Sequence, residues 1–166
     1  FKNISIDLIF SIPGTTDKVL QKDVRTALSL APEHISVYSL TIEEKTVFGN
    51  WYAKGKLQIT EDEESARQFE FIINALEKNG YEQYEISNWS KPENECMHNI
   101  HYWEIDPYLA FGPSAHGFDG QNRFANIRNL DGYIKKLGKG ELPRQNHYEL
   151  SDKDRTNEII GFGLEE

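Results

Sequence analysis

The chain has 166 residues, 38% hydrophobic and 12% aromatic, which is enough to bury a core as one domain or as a slice of a larger one. Its net charge of −9 excludes a protein that grips nucleic acid or anionic lipid by bulk charge. Cys96 is the single cysteine, which excludes an internal disulfide and any iron–sulfur cluster or multi-thiolate zinc site built from this chain alone.

A reducing cytoplasmic setting is the default for such a composition. No apolar run approaches the roughly 20 residues that span a bilayer, so no transmembrane segment is expected. The ends read as cut: there is no initiator Met, and the chain opens almost at once into a strand-like run over Phe1–Phe10. Ile4, Ile6, Leu8 and Phe10 alternate there with Ser5 and Asp7, the period of a strand. Pro13-Gly-Thr-Thr16 breaks the strand, and either threonine can cap the helix that follows. That helix carries Leu20, Val24, Ala27, Leu28 and Ala31 on one stripe and stops at Pro32. A second strand is expected over Glu33–Leu40, then a looser stretch from Thr41 to Thr60. Glu61-Asp-Glu-Glu64 opens a helix bearing Ala66, Phe69, Ile72, Ile73 and Leu76, ended by Asn79-Gly80. Tyr81–Ser87 reads as a third strand. The order β-α-β-α-β predicts an α/β fold of adjacent parallel strands, with both helices on one side.

Beyond residue 88 the period fades. Arg123–Arg128 suggests a short strand and Asp131–Leu137 a short helix ended by Gly138. Ser151-Asp-Lys-Asp154 reads as the cap of a last helix, whose apolar face is Ile159, Ile160 and Phe162.

Three places could carry chemistry. Asp7 is a carboxylate within an apolar strand; it lies either on a solvated face or against a ligand near the carboxyl ends of parallel strands. Cys96-Met-His-Asn-Ile-His-Tyr-Trp103 is the densest set of coordinating groups. His98 and His101 share a helical face and look like half of a zinc site with no second half, while haem needs only one axial imidazole and an apolar wall. A packed loop is the alternative. Ala110-Phe-Gly-Pro-Ser-Ala-His-Gly117 suits close approach of backbone to a cofactor, or a tight turn. His34 and His147 carry no evident role.

These stretches together resemble a known family. Ser5-Ile-Asp-Leu-Ile-Phe-Ser-Ile-Pro-Gly-Thr-Thr16 is similar to the SIDLIYGLPGQT segment of oxygen-independent coproporphyrinogen III oxidase-like radical SAM proteins. The likeness continues through His34-Ile-Ser-Val-Tyr-Ser-Leu-Thr-Ile-Glu43, Thr46-Val-Phe-Gly49 and Gly80-Tyr-Glu-Gln-Tyr-Glu-Ile-Ser-Asn88. His98-Asn-Ile-His-Tyr-Trp103 resembles the HNxxYW signature of the haem-chaperone branch, which Phe111-Gly-Pro-Ser-Ala-His116 and Asn157-Glu158 also fit. Ser11 stands where the family usually has Gly, and Thr15 where it usually has Gln.

The resemblance implies the later half of a radical SAM (β/α) barrel over residues 1–90 and the start of an α+β accessory region over 91–166. By position it implies that Asp7, Thr41 and His116 line S-adenosylmethionine (SAM), and that His98, Asn99, Tyr102 and Trp103 meet haem. The family's C-x3-C-x2-C cluster motif is not in this chain, so the iron–sulfur cluster is expected upstream, and the chain alone is expected to perform no radical chemistry. The implied function is a cytoplasmic haem chaperone that delivers haem to an acceptor protein. The alternative is an oxidase that decarboxylates coproporphyrinogen III.

Overall fold

A computed structural model describes residues 1–163; for Asn146, Asp152 and residues 159–163 only the backbone is described. The chain divides into two compact units, Phe1–Cys96 and Met97–Glu166.

In the first unit, β1 (Ser5–Phe10) leads through α1 (Asp17–Ser29) to β2 (His34–Ser39), and the two strands pair in parallel from Ser5↔His34 to Phe10↔Ser39. A short helix α2 (Val47–Ala53) and a long one, α3 (Asp62–Glu77), precede β3 (Glu82–Glu85) and β4 (Asn88–Ser90). The sheet order is β1-β2-β4-β3. Here the structure corrects the expectation of three adjacent parallel strands. β4 is inserted beside β2, antiparallel to both of its neighbours, and β3 is displaced to the edge. The chain turns back at Ile86-Ser87 because Asn88 donates its side-chain amide to the Glu85 carboxylate across the turn. Residues 81–87 are therefore the outer half of a hairpin, and this unit has four strands and three helices where the sequence suggested three and two.

One face of the sheet is covered by α1 and α3. Leu20 and Val24 from α1, and Ile72 and Leu76 from α3, join Phe10, Ile35, Val37, Tyr81 and Trp89 in one buried cluster. Stacking of Phe10 on Phe69 (5.6 Å between centroids) and the edge contact of Phe69 with Trp89 (6.0 Å) tie strand to helix. Alternation then sends the even residues of β2, and their cross-strand partners, to the opposite face, which positions the polar groups described below.

The second unit starts with α4 (Met97–Trp103) and builds an antiparallel sheet of β5 (His116–Phe118), β6 (Asn122–Asn126) and β7 (Arg144–Glu149), with α5 (Leu130–Leu137) between β6 and β7 and α6 (Asp152–Gly163) after it. The strand expected over 123–128 spans Asn122–Asn126, with its register shifting between Ala125 and Asn126; the Asn126 side-chain amide donates to Ala110 O and Gly112 O. Asn129 caps α5 through the Gly132 N–H at 2.8 Å. Ser151 and Asp154 cap α6 reciprocally, and the hydrogen bonds from Ser151 hold the Asp154 carboxyl below its usual range. The expected apolar face of α6, Ile159, Ile160 and Phe162, lies outside the described side chains.

Candidate functional site

Asp7 stands on the face of the first sheet away from the helices, where Leu8 and Phe10 point the other way into the core. Register then builds a row that no single segment reveals. Asp7 faces Ser36, Ser36 faces Asn88, and Asn88 faces Glu85, so one polar side chain from each strand crosses the sheet at one level. Asp7 is exposed, whereas Ser36, Asn88 and Glu85 are buried. Asn88 Oδ1 and the neighbouring Ser90 Oγ are buried with no hydrogen-bond partner among the described residues. Of this row only the Asp7 carboxylate is exposed and open to the hydroxyl or amine donors of a ligand.

Beside the row runs a second one. His34 is buried, with Nδ1 2.8 Å from Ser5 Oγ and Nε2 2.7 Å from the Tyr84 hydroxyl, which also accepts the Cys96 N–H at 3.3 Å. Burial pushes the imidazole below its ordinary pKa, against an opposing pull from Asp7. The sequence offered no reason to single out His34; its signal is positional, at the start of a strand paired on both edges.

Thr41 is exposed and lies five residues beyond Ser36, roughly 16 Å of extended chain. Asp7 sits in the middle of β1, and Thr41 follows the last residue of β2 by two positions, towards the far end of the strands. At that far end lies a cavity of about 250 Å³, lined by Ser11, Ser39, Leu40, Tyr52, Thr60 and Ser65 among others. Ser11 is buried there in the left-handed region (φ 57°), with its N–H on Gln68 Oε1 at 3.0 Å, its carbonyl accepting the Thr60 hydroxyl at 3.1 Å and its hydroxyl 2.6 Å from that of Ser65. Pro13-Gly-Thr-Thr16 is an ordinary turn: Thr15 N–H donates to Ile12 O, and Thr16 precedes α1 with no side-chain cap bond.

In the second unit α4 divides the four residues of the HNxxYW stretch between two faces. His98 and Tyr102, four apart, are exposed, with rings in edge contact at 5.0 Å, and Tyr102 meets Tyr108 at 4.5 Å. Asn99 and Trp103 form the adjacent, half-buried face. His101 does not share a partner with His98: its Nδ1 lies 2.7 Å from Asp106 Oδ2. His116 opens β5 opposite Ala125 and is exposed. Glu158 makes a two-pronged pair with Arg123, 2.8 Å on each prong, which holds the guanidinium above its usual pKa. Cys96 is half-buried, and one thiol does not fit an iron–sulfur cluster.

No family model matches the chain. It is 40% identical over 164 residues to the protein named heme chaperone HemW of Bacillus subtilis, covering 99% of this chain and 43% of that protein. The HemW of Lactococcus lactis is 37% identical with the same coverage. The Danio rerio protein named radical S-adenosyl methionine domain-containing protein 1, mitochondrial, is 35% identical over 97% of this chain and 38% of its own length. Among solved structures, the radical SAM enzyme coproporphyrinogen III oxidase (HemN) of Escherichia coli superposes with a TM-score of 0.74 over 96% of this chain and 39% of that one, at 18% identity, a likeness of fold alone. The chain spans about two fifths of the length of the curated relatives it matches. Its fold is a part of the radical SAM fold, and none of its described helices is long and apolar enough to cross a membrane. Along nearly its whole length the chain is a homologue of proteins named heme chaperone HemW, and it shares the fold of part of a radical SAM coproporphyrinogen III oxidase.

Proposed function

We propose that this chain is part of a cytoplasmic haem chaperone, which binds haem and passes it to an acceptor protein. The observation that carries the reading is the exposed His98 imidazole on α4, with Tyr102 and Tyr108 packed in series behind it. An accessible imidazole nitrogen supplies an axial ligand, and the tyrosine rings, edge-on to one another, supply apolar contact for the porphyrin. Asn99 and Trp103 then act from beneath, holding the helix that presents His98. Relatives named for haem chaperoning, matched along nearly the whole chain, support the same reading.

SAM is assigned to the polar face of the first sheet, where the Asp7 carboxylate accepts from ribose hydroxyls; Thr41 and His116 are assigned to the same ligand by family position. When bound beside a reduced iron–sulfur cluster, SAM supplies radical chemistry. The residues of this chain contribute only its seating, since Cys96 cannot hold the cluster. Oxidation of coproporphyrinogen III has the fold likeness in its favour and no observation at α4.

Haem titration followed by the Soret band tests the reading. His98→Ala is expected to weaken binding by about tenfold or more, a loss of about 1.4 kcal/mol, while His101→Ala keeps the wild-type affinity. Equal affinity in wild type and His98→Ala overturns the assignment. For the SAM face, calorimetry on the whole parent protein is expected to show weaker SAM binding in Asp7→Ala; unchanged affinity returns Asp7 to a structural role.

A further inference from the structure

We propose that His101, Glu104 and Asp106 form a binding site for a borderline divalent cation such as zinc, separate from the haem contact. Each offers a ligand atom, one imidazole nitrogen and two carboxylate oxygens, and these lie within 4.8 Å of one another. One nitrogen and two oxygens, with further positions left for water, is a donor set that zinc accepts at ligand distances of roughly 2.0–2.2 Å.

The backbone creates the cluster. At the end of α4, the Ile105 N–H donates to Tyr102 O at 3.2 Å and the Asp106 N–H reaches back to His101 O at 2.9 Å. This pair of bonds closes the helix as a Schellman motif, with Ile105 as its left-handed residue at φ 56°. A β-branched side chain is costly in that region. The closure swings the Asp106 carboxylate onto the His101 ring and leaves Glu104 beside both.

Charge points the same way. No Lys or Arg occurs between Lys91 and Arg123, a stretch that contains Glu93, Glu95, Glu104, Asp106 and Asp119. Two carboxylates converge on one imidazole inside this stretch, and the single ion pair of Asp106 with His101 leaves Glu104 uncompensated within the trio. A cation taking the place of the proton shared by Nδ1 and Oδ2 engages all three donors at once. Spacing had paired His101 with His98; the structure instead groups His101 with two carboxylates, Glu104 and Asp106.

The test is zinc chloride calorimetry on the untagged 166-residue chain, with cobalt(II) absorption as a reporter of the ligand field. One equivalent is expected to bind. His101→Ala, Asp106→Asn and Glu104→Gln are each expected to weaken binding by about tenfold or more, and His98→Ala to leave it unchanged. Glu104→Gln keeps the exposed side chain's size and leaves the helix closure alone, so it decides the matter if circular dichroism shows the other two variants unfolded. No saturable binding, affinity undiminished in Glu104→Gln, or loss of binding with His98→Ala each overturns the site.

Discussion

The two units hold themselves together by different means. The first rests on an apolar cluster in which Ile35, Ile72, Leu76 and Trp89 have no exposed surface, drawn from two helices and three strands. The second buries few apolar side chains among those described, Phe118, Phe124, Ala125 and Leu150, and fastens its strands with charged and amide groups. Arg123 grips Glu158, Arg144 lies 3.8 Å from the Phe124 ring centroid, and Asn126 ties two carbonyls of the preceding loop. A core of transferred apolar surface tolerates rearranged connections, whereas a frame of directed polar bonds depends on each partner's position.

Three substitutions separate these modes. The largest effect is expected from Trp89→Ala, which empties the centre of the first cluster and costs about 3–5 kcal/mol in urea unfolding; a cost under 1 kcal/mol would remove the distinction drawn above. Gly117→Ala probes the second unit. A Cβ there would run into the Phe124 ring, and that ring also carries Arg144. Overpacking of about 1–3 kcal/mol is expected, with thermal unfolding as the measurement. The smallest effect concerns pH. His34 is held neutral by burial, so its contribution to stability is whole above its ordinary pKa of 6.5 and is lost as pH falls below that value towards the depressed pKa of the folded state. Unfolding free energies measured between pH 7 and 5 should therefore decline less steeply in His34→Gln than in the wild type; parallel slopes would show that the Ser5–His34–Tyr84 chain does not govern that titration.

Periodicity made the first unit legible. Alternation in β1 and the apolar stripes of α1 and α3 announced themselves because their partners are apolar and nearby in sequence. The hairpin of β3 and β4 did not, since Asn88-Trp-Ser90 is too short to show a period and its turn is sealed by Glu85 and Asn88 rather than by Gly or Pro. In the second unit β7 reads Arg-Gln-Asn-His-Tyr-Glu, with no apolar alternation to find. The candidate sites divide in the same way. Asp7 stood out as a carboxylate inside an apolar strand, but Ser36, Asn88 and Glu85 join it only through register. His98 stood out by motif. His101, Glu104 and Asp106 converge only once the helix end is closed through a left-handed isoleucine, a conformation that sequence patterns do not advertise.

Ser11 carries a consequence for how such a turn changes over evolutionary time. A left-handed serine costs about 1–2 kcal/mol more than a glycine would, and its hydroxyl contact with Ser65 contributes about 0.5–1.5 kcal/mol that glycine cannot supply. The two amounts nearly offset each other. Since the backbone bonds to Gln68 and Thr60 belong to either residue, exchange between glycine and serine is close to neutral, and the loop keeps its path while its signature letter drifts. Position 65 decides which letter is preferred: a lineage that loses the Ser65 hydroxyl is pushed back to glycine at position 11.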